Sequence, residues 1–224
     1  MIEIIPAVMP KNYRDLSEKS ALFAGVVPLV QFDIMDGKFV KARTWPYGPK
    51  DSEFSKIISE EEGMPEWETL GFEVDLMIGN PEQAVANWVT AGAKRIIIHV
   101  ESMQDFDAVR KAVPTGFVEL GLAINTETPI SKIEPYLDSI DFVQCMGIAK
   151  IGFQGEQFDE RVIENIKAIH KLKPGLPISV DGGVNFDTAK SLVNAGATRL
   201  VSGSAILESA DVSSAVMEMK NLVE

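Results

Sequence analysis

Three aspartates at the ends of short apolar runs are the side chains best suited to chemistry. Asp33 and Asp75 each lie near the end of an early run, and Asp181 directly follows a late one. Carboxylates that are brought together repel one another unless they share protons or surround a cation. Their convergence would therefore indicate acid–base catalysis, a divalent-metal site, or both.

Eight apolar runs, separated by helical patterns such as Pro81–Val89 and Arg161–His170, supply the elements that would position these aspartates. The runs are rich in Val, Ile and Leu, which is typical of parallel strands covered on both faces. They are Ile2–Ile5, Leu29–Ile34, Phe72–Met77, Arg95–Val100, Val118–Ile124, Phe142–Met146, Ile178–Val180 and Leu200–Val201. Eight such units predict an α/β fold, a single (β/α)8 TIM barrel over residues 1–224. A doubly wound open sheet, commonly of about five or six strands, is the alternative.

An internal repeat favours the barrel. Ala-Gly-Ala recurs at 91–93 and 195–197, each time between a helical pattern and the next strand, where glycine suits the left-handed cap. Asn80-Pro81 and Thr128-Pro129 each pair a capping residue with a proline, which predicts that a helix starts at both places. In a barrel of this kind the catalytic groups lie where the strands end.

Glycine-rich turns follow the last two strands. Gly182 and Gly183 come directly after Asp181, and Gly203-Ser204 follows the eighth run. Glycine lets backbone N–H groups approach a phosphate, and the helices that follow present their N-termini to it. Barrels that bind phosphate use the loops after strands seven and eight. The sequence therefore predicts a phosphorylated small molecule as the ligand.

Composition excludes some partners. The chain has 33 acidic against 21 basic residues, a formal charge of −12, which disfavours nucleic acid and anionic membranes. No apolar run approaches the roughly 20 residues of a membrane helix, and the first residues lack the pattern of a secretory signal. The one cysteine, Cys145, excludes an internal disulfide and is expected to be a buried small hydrophobe. We expect a cytoplasmic protein.

The chain resembles the ribulose-phosphate 3-epimerase family along nearly its whole length. The resemblance rests on motifs in the family's order, most specifically Asp-Ile-Met-Asp-Gly from Asp33 and Val-Asp-Gly-Gly from Val180. The other matching stretches are Asp75-Leu-Met, His99-Val-Glu, Gly121-Leu-Ala-Ile-Asn-Thr-Glu-Thr-Pro, Gly152-Phe-Gln-Gly and Gly203-Ser-Ala.

This resemblance implies a ribulose-phosphate-binding barrel in which Asp33 and Asp181 form the acid–base pair that inverts a ketose-phosphate carbon. It also implies a divalent metal held by Asp33, Asp181 and two further side chains, and a homo-oligomer active in pentose phosphate metabolism. The substrate-pocket residues that it implies are Met35, Met77 and Met146. The resemblance also implies a set of phosphate-binding residues, some of which lie in the glycine-rich turns described above. They are Gly152, Gly155, Gly182, Gly183, Gly203 and Ser204.

At two positions this chain lacks the residue that serves the family as a metal ligand. Gln31 and Asp75 stand where the family has histidines. With Asp33 and Asp181 they make an all-oxygen set, which favours Mg²⁺ or Mn²⁺ over Zn²⁺. The sequence is compatible with a bound metal and equally with a metal-free site in which the carboxylates share protons. Ala7 also replaces the serine that the family uses to contact substrate.

The predicted function is that of an epimerase acting on a phosphorylated ketose, similar to ribulose-5-phosphate 3-epimerase. A different lyase or aldolase on the same barrel is one alternative, although related decarboxylases carry Asp-x-Lys-x-x-Asp where this chain has Asp75-Leu-Met-Ile-Gly-Asn. A non-catalytic sugar-phosphate binder that has lost both histidines is the other. Val40–Leu70 either covers the mouth of the barrel or packs through its own aromatics, and His99 is interpreted as a core histidine.

Overall fold

Eight strands close into a barrel in the order β1 to β8, with β8 returning to β1, in the computed structural model of the chain. The structure describes residues 2–48, 52–153 and 155–224. The strands are β1 Glu3–Val8, β2 Leu29–Met35, β3 Gly71–Met77, β4 Arg95–His99, β5 Glu119–Ile124, β6 Phe142–Met146, β7 Ile178–Asp181 and β8 Arg199–Ser202. The predicted (β/α)8 barrel is confirmed, and the open sheet is excluded because the sheet has no edge.

Helices connect most of the strands. They are α1 Tyr13–Phe23, α2 Glu53–Ile58, α3 Pro81–Thr90, α4 Phe106–Ala112, α5 Arg161–Leu172, α6 Ala189–Ala195, α7 Ser204–Leu207 and α8 Val212–Val223. Gly92 and Gly196 have positive φ values after α3 and α6, so the repeated Ala-Gly-Ala ends both helices as predicted. None of the helices among the described residues is both long and apolar enough to cross a bilayer.

The connection between β5 and β6 differs from the prediction. Thr128-Pro129 was expected to start a helix, but the segment forms only two 3₁₀ turns, Ile130–Lys132 and Glu134–Tyr136. Pro135 explains the difference, because a proline lacks the N–H of the helical hydrogen bond and its ring would clash with the carbonyl four residues earlier. The segment therefore cannot continue as an α-helix beyond its first turn.

The chain divides into two compact units. One comprises Gly121–Glu224 with the chain up to Pro6, and the other is Ala7–Leu120. In the first unit, Glu3 of β1 pairs in register with Arg199 of β8, whose guanidinium lies 3.0 Å from the Glu3 carboxylate and stacks over the Phe142 ring. The prediction of a single domain over residues 1–224 stays a prediction.

The second unit has an aromatic core outside its strands. Trp45 and Trp88 are fully buried and meet edge to face, with ring centroids 6.0 Å apart. Phe54 of α2 packs on both of them, and Phe72 of β3 contacts Trp88. The long segment after β2 is thus held by aromatic packing, partly its own and partly against α3.

The second half of that segment does not cover the barrel mouth. Residues 60–64 and 67–70 line a cavity of about 880 Å³ together with Pro28, Gly71 and Lys94. These three residues precede or begin β2, β3 and β4, so the cavity lies at the amino ends of the strands. Of the two interpretations of Val40–Leu70, covering the mouth does not hold for this half, and residues 49–51 lie outside the described part of the chain.

Candidate active site

Asp33 and Asp75 are neighbours across β2 and β3. The two strands pair in parallel over seven residues, with Asp33 opposite Asp75 and Met35 opposite Met77. Residues in register on adjacent strands point to the same face of a sheet, so the two carboxylates share a side. Asp33 is 6% exposed and Asp75 is 0% exposed, so water contributes little to stabilising either charge.

The end of β2 is fixed by hydrogen bonds on both sides. Gln31 donates from Nε2 to Oδ1 of Asp33 over 2.8 Å. The Thr44 hydroxyl accepts from the Met35 N–H and donates to the Asp33 carbonyl. Asp36 accepts from the backbone N–H of Gly79, which follows β3. These bonds hold the backbone that carries Asp33 and limit the freedom of its side chain.

His99 joins the site through Asp75. Its Nε2 lies 3.1 Å from Oδ1 and 3.4 Å from Oδ2 of Asp75, and its Nδ1 lies 3.7 Å from Oε2 of Glu101. Burial lowers the pKa of His99, but Asp75 and then Glu101 raise it by more, to about 10. The interpretation of His99 as a buried histidine agrees with its 0% exposure, and the structure adds that it contacts a candidate site residue.

In the other unit, Asp181 ends β7 in a comparable environment. It is 8% exposed and pairs in register with Met146 of β6. Gln144, two residues before Met146 and on the same face of β6, brings its Nε2 to 3.5 Å from Oδ2 of Asp181. The Asp181 carbonyl accepts from the Gly147 N–H over 2.7 Å, which fixes the strand end.

The three aspartates form one cluster. Among the residues that the structure describes, Asp33, Asp75 and Asp181 each offer a carboxylate oxygen, and these oxygens lie within 4.8 Å of one another. All three residues are buried, so a cluster with three full charges is unfavourable unless a proton or a cation is shared within it. The arrangement can transfer protons, bind a divalent ion, or do both.

The donor set fits a hard divalent ion. Buried carboxylates suit Mg²⁺ and Mn²⁺, whereas Zn²⁺ favours nitrogen and sulfur ligands. Gln31 presents Nε2 and not Oε1 to Asp33, so in this structure it acts as a donor to the cluster. Its assignment as a fourth metal ligand stays a prediction.

The turn after β7 has the conformation that the glycines predicted. Gly182 and Gly183 have φ values of 93° and 67°, a region that other residues rarely occupy. A side chain at Gly182 would collide with Ile148, and one at Gly183 with Phe158. The Thr188 hydroxyl donates to the Gly183 carbonyl, which ties the turn to the start of α6. The backbone is therefore close-packed on one side and held at the amino end of a helix.

The remaining predicted residues lie at strand ends or in loops. Gly203 precedes α7, whose first residue is Ser204. Gly152 and Gly155 both have positive φ values, and Gln154 between them lies outside the described residues. The three predicted pocket methionines are at most 3% exposed and stand at the ends of their strands: Met35, Met77 and Met146.

Gln144 and the Asp75–His99 contact were missed by sequence reasoning. Gln144 had a usable signal, since it is an uncharged polar residue within a short apolar strand, two places before a predicted pocket methionine. His99 was noticed, but the sequence does not reveal that its ring faces Asp75. That contact depends on the shear of β4 against β3, which pairs Asp75 with Ile97 and leaves His99 two residues further on.

The family model for "Ribulose-phosphate 3 epimerase family" matches residues 3–207. The chain belongs to the ribulose-phosphate 3-epimerase family. The match covers all three aspartates and supports the prediction of a carbohydrate-phosphate epimerase.

Individual members are similar over nearly the whole chain. Ribulose-phosphate 3-epimerase of Bacillus subtilis (strain 168) is 30% identical over 226 residues, covering 98% of this chain and 99% of the relative. The chloroplastic ribulose-5-phosphate-3-epimerase of Arabidopsis thaliana is 31% identical over 227 residues, covering 98% of this chain and 76% of the relative.

Solved structures of proteins with other names also share this fold. The 3-hexulose-6-phosphate synthase from Salmonella typhimurium superposes with a TM-score of 0.72 at 13% identity, covering 99% of this chain and 98% of the other. At that identity the likeness shows the barrel and not the reaction.

Proposed function

We propose that this protein inverts the carbon next to the ketone of a phosphorylated ketose, as a ribulose-phosphate 3-epimerase does. The observation that carries the proposal is the presence of Asp33 and Asp181 in one buried carboxylate cluster at the ends of their strands. Inversion needs two groups that reach opposite faces of one carbon, because one face loses a proton and the other gains one. Two carboxylates on different strands supply such a pair.

The reaction needs one ionised and one protonated carboxylate, and a cluster that keeps one proton supplies both. The ionised member of the pair takes the proton from carbon 3, and the C–H electron pair moves to form an enediolate. The protonated member then gives its proton to the opposite face of carbon 3, and the two members have exchanged states. Buried carboxylates whose oxygens lie within 4.8 Å favour a state with one proton between them.

The enediolate must be stabilised where it forms. A divalent ion held by the cluster would supply Lewis-acid stabilisation of this charge. We assign Asp33, Asp75 and Asp181 as its ligands and Mg²⁺ or Mn²⁺ as its identity, because all three donors are carboxylates. The N–H groups of Gln31 and Gln144, which contact Asp33 and Asp181, keep those two carboxylates oriented.

We assign the phosphate to the glycine turns. Gly182 and Gly183 lie on a positive-φ turn before α6, and Gly203 directly precedes α7, which begins at Ser204. Backbone N–H groups in such turns and at helix starts bind anions. Gly152 and Gly155 are assigned to the same phosphate. A local device of this kind is needed, because the net charge of −12 repels an anionic substrate at long range.

Isotope exchange tests the proposal. The protein is incubated with ribulose 5-phosphate in D2O, with EDTA or with added Mn²⁺, and loss of the carbon-3 proton is followed by NMR. We expect exchange in the wild type and a loss of about 10²- to 10⁴-fold in Asp33→Asn and in Asp181→Asn, since each removes one acid–base group. Exchange that persists in EDTA would assign the chemistry to shared protons without a metal.

Asp107→Asn serves as the matched control. Asp107 lies exposed in the first turn of α4, so the same change of carboxylate to amide there leaves exchange unaltered. The epimerase proposal fails if the wild type binds the sugar phosphate but exchanges no proton with any metal. That result would support the sugar-phosphate binder instead.

The lyase or aldolase alternative has less support. From Asp75 of β3 the chain continues as Leu-Met-Ile-Gly-Asn and lacks the lysine of the decarboxylases that resemble this family. The likeness to 3-hexulose-6-phosphate synthase is one of fold. Formation of a shorter or longer sugar phosphate in the same NMR experiment would favour this alternative.

A further inference from the structure

His99 is a fully buried side chain whose two ring nitrogens both face carboxylates. Nε2 approaches both oxygens of Asp75, at 3.1 and 3.4 Å, and Nδ1 faces Glu101 at 3.7 Å. The Phe39 ring lies against the imidazole, with centroids 5.3 Å apart. Packing and charge together therefore determine the orientation of this ring.

Asp75 depends on such a partner more than the other two aspartates do. Its side chain has no exposure to solvent, so the cost of burying its charge must be offset by groups of the protein. His99 provides an N–H next to the carboxylate from the adjacent strand β4. Asp75 also lies opposite Asp33 in the register of β2 and β3, and one of its carboxylate oxygens belongs to the aspartate cluster.

We propose that His99 is a positioning residue that orients the Asp75 carboxylate toward the divalent ion of the aspartate cluster. Glu101 fixes the far nitrogen of the ring, so that Nε2 and not Nδ1 is directed at Asp75. The inference rests on the proposed function only in placing an ion among Asp33, Asp75 and Asp181. His99 itself does not touch the ion or the substrate.

The position of the N–H, as opposed to the mere presence of a polar side chain, is what this role requires. Gln at position 99 places its amide nitrogen near the site of Nε2 and reaches Asp75. Asn is one methylene shorter and places its amide near the site of Nδ1, from which Asp75 is out of reach. Both substitutions introduce the same amide group and remove the ring, so they are matched in polarity.

Mn²⁺ binding in the absence of any sugar measures the effect directly. Free Mn²⁺ is titrated by its EPR signal against the wild type, His99→Gln, His99→Asn and, as a control, His170→Asn on the exposed face of α5. We expect His99→Asn to weaken Mn²⁺ binding by about 10- to 100-fold, the usual effect of losing a partner of a metal ligand. We expect His99→Gln to stay close to the wild type and His170→Asn to match it.

Equal affinities of folded His99→Gln and His99→Asn overturn the inference, as does a wild type that binds no Mn²⁺. Circular dichroism confirms that each variant is folded. The readout is independent of catalysis: a wild type that binds Mn²⁺ but exchanges no carbon-3 proton defeats the epimerase proposal and leaves the role of His99 intact. If the wild type exchanges the carbon-3 proton but both variants bind Mn²⁺ equally, the epimerase proposal stands and the role of His99 is overturned.

Discussion

Asp75 and Gln31 are the two residues that bear on the choice of ion in the proposed metal site. Gln31 donates an N–H to Asp33, and Asp75 adds a third buried carboxylate to the cluster, so no nitrogen ligand is offered to a metal by either residue. Zn²⁺ prefers imidazole nitrogen, whereas Mg²⁺ and Mn²⁺ prefer oxygen. We therefore expect these two departures from the family pattern to change the preferred ion of the proposed metal site.

Restoring the family histidines should reverse this preference. We expect the double variant Gln31→His and Asp75→His to retain zinc from an equimolar mixture of Zn²⁺ and Mn²⁺, because two imidazoles replace two poor zinc ligands. The wild type should take up a larger share of Mn²⁺ than the variant does. Metal content after dialysis, measured by mass spectrometry, compares the two, and an identical metal composition would contradict the assignment.

Cys145 is expected to be chemically inert in the folded protein. It is fully buried on β6, and burial raises the pKa of its thiol to about 12. The reactive thiolate is therefore scarce at pH 8, and the reagent cannot reach it. Ellman's reagent should react slowly with the native protein and fast in guanidinium. A Ser55→Cys variant on the exposed side of α2 gives the fast reaction expected of an accessible thiol.

At the scale of elements, the aromatic core that holds the segment after β2 makes a large contribution to stability. We expect Trp88→Ala to lower the free energy of unfolding by about 3–5 kcal/mol, because it leaves a cavity between Trp45, Phe54 and Phe72. Trp67→Ala is the control: Trp67 is 67% exposed, so its loss should cost about 0.5 kcal/mol or less.

Urea unfolding followed by circular dichroism measures both variants, because each substitution removes one of the three tryptophans and so changes the fluorescence itself. Equal destabilisation by the two substitutions would show that the buried cluster is not the main support of this segment. A much smaller loss in Trp88→Ala would indicate that the neighbouring rings close the cavity.

The strands were predictable because a parallel strand buried on both faces leaves a continuous apolar run. All eight runs begin within one residue of the observed strands, and in Phe142–Met146 both ends agree. The connections were less predictable. A proline after threonine at 128–129 indicates a helix start only if the following residues can continue the helix, and Pro135 prevents that.

The part of the site that could be predicted from the sequence is the part that lies in recognisable motifs. Asp33, Asp75 and Asp181 could be placed at strand ends from the order of the runs alone, and the structure groups them. The side chains that contact these aspartates could not be predicted. Gln31 beside Asp33 and His99 beside Asp75 depend on the register of adjacent strands and on side-chain rotamers, and no spacing in the sequence encodes either.

At the scale of the whole molecule, the acidic surface affects how an anionic substrate arrives. With a net charge of −12, the long-range field opposes the approach of a sugar phosphate. We expect kcat/KM to rise as NaCl increases from about 10 to 150 mM, because screening shortens the range of this repulsion to about 8–10 Å. Steady-state kinetics at saturating Mn²⁺ measure the effect.

A variant with Glu60→Gln, Glu61→Gln and Glu62→Gln provides the comparison. These residues line the cavity at the amino ends of the strands, away from the aspartate cluster, so only the general field changes. Its salt dependence should be weaker than that of the wild type. A fall of kcat/KM with salt in both proteins would show that local attraction at the glycine turns dominates. The homo-oligomer and the cytoplasmic location stay predictions.

The return of β8 to β1 has a consequence for the order in which the protein can be completed. Glu3 to Pro6 of β1 pair with Arg199 to Ser202 of β8, so β1 lacks one neighbour until residues 199–202 have left the ribosome. During that time its unpaired N–H and C=O groups form an open sheet edge, which can pair with other chains. Synthesis that stalls before residue 199 would thus release a polypeptide prone to aggregate, whereas the finished ring offers no such edge.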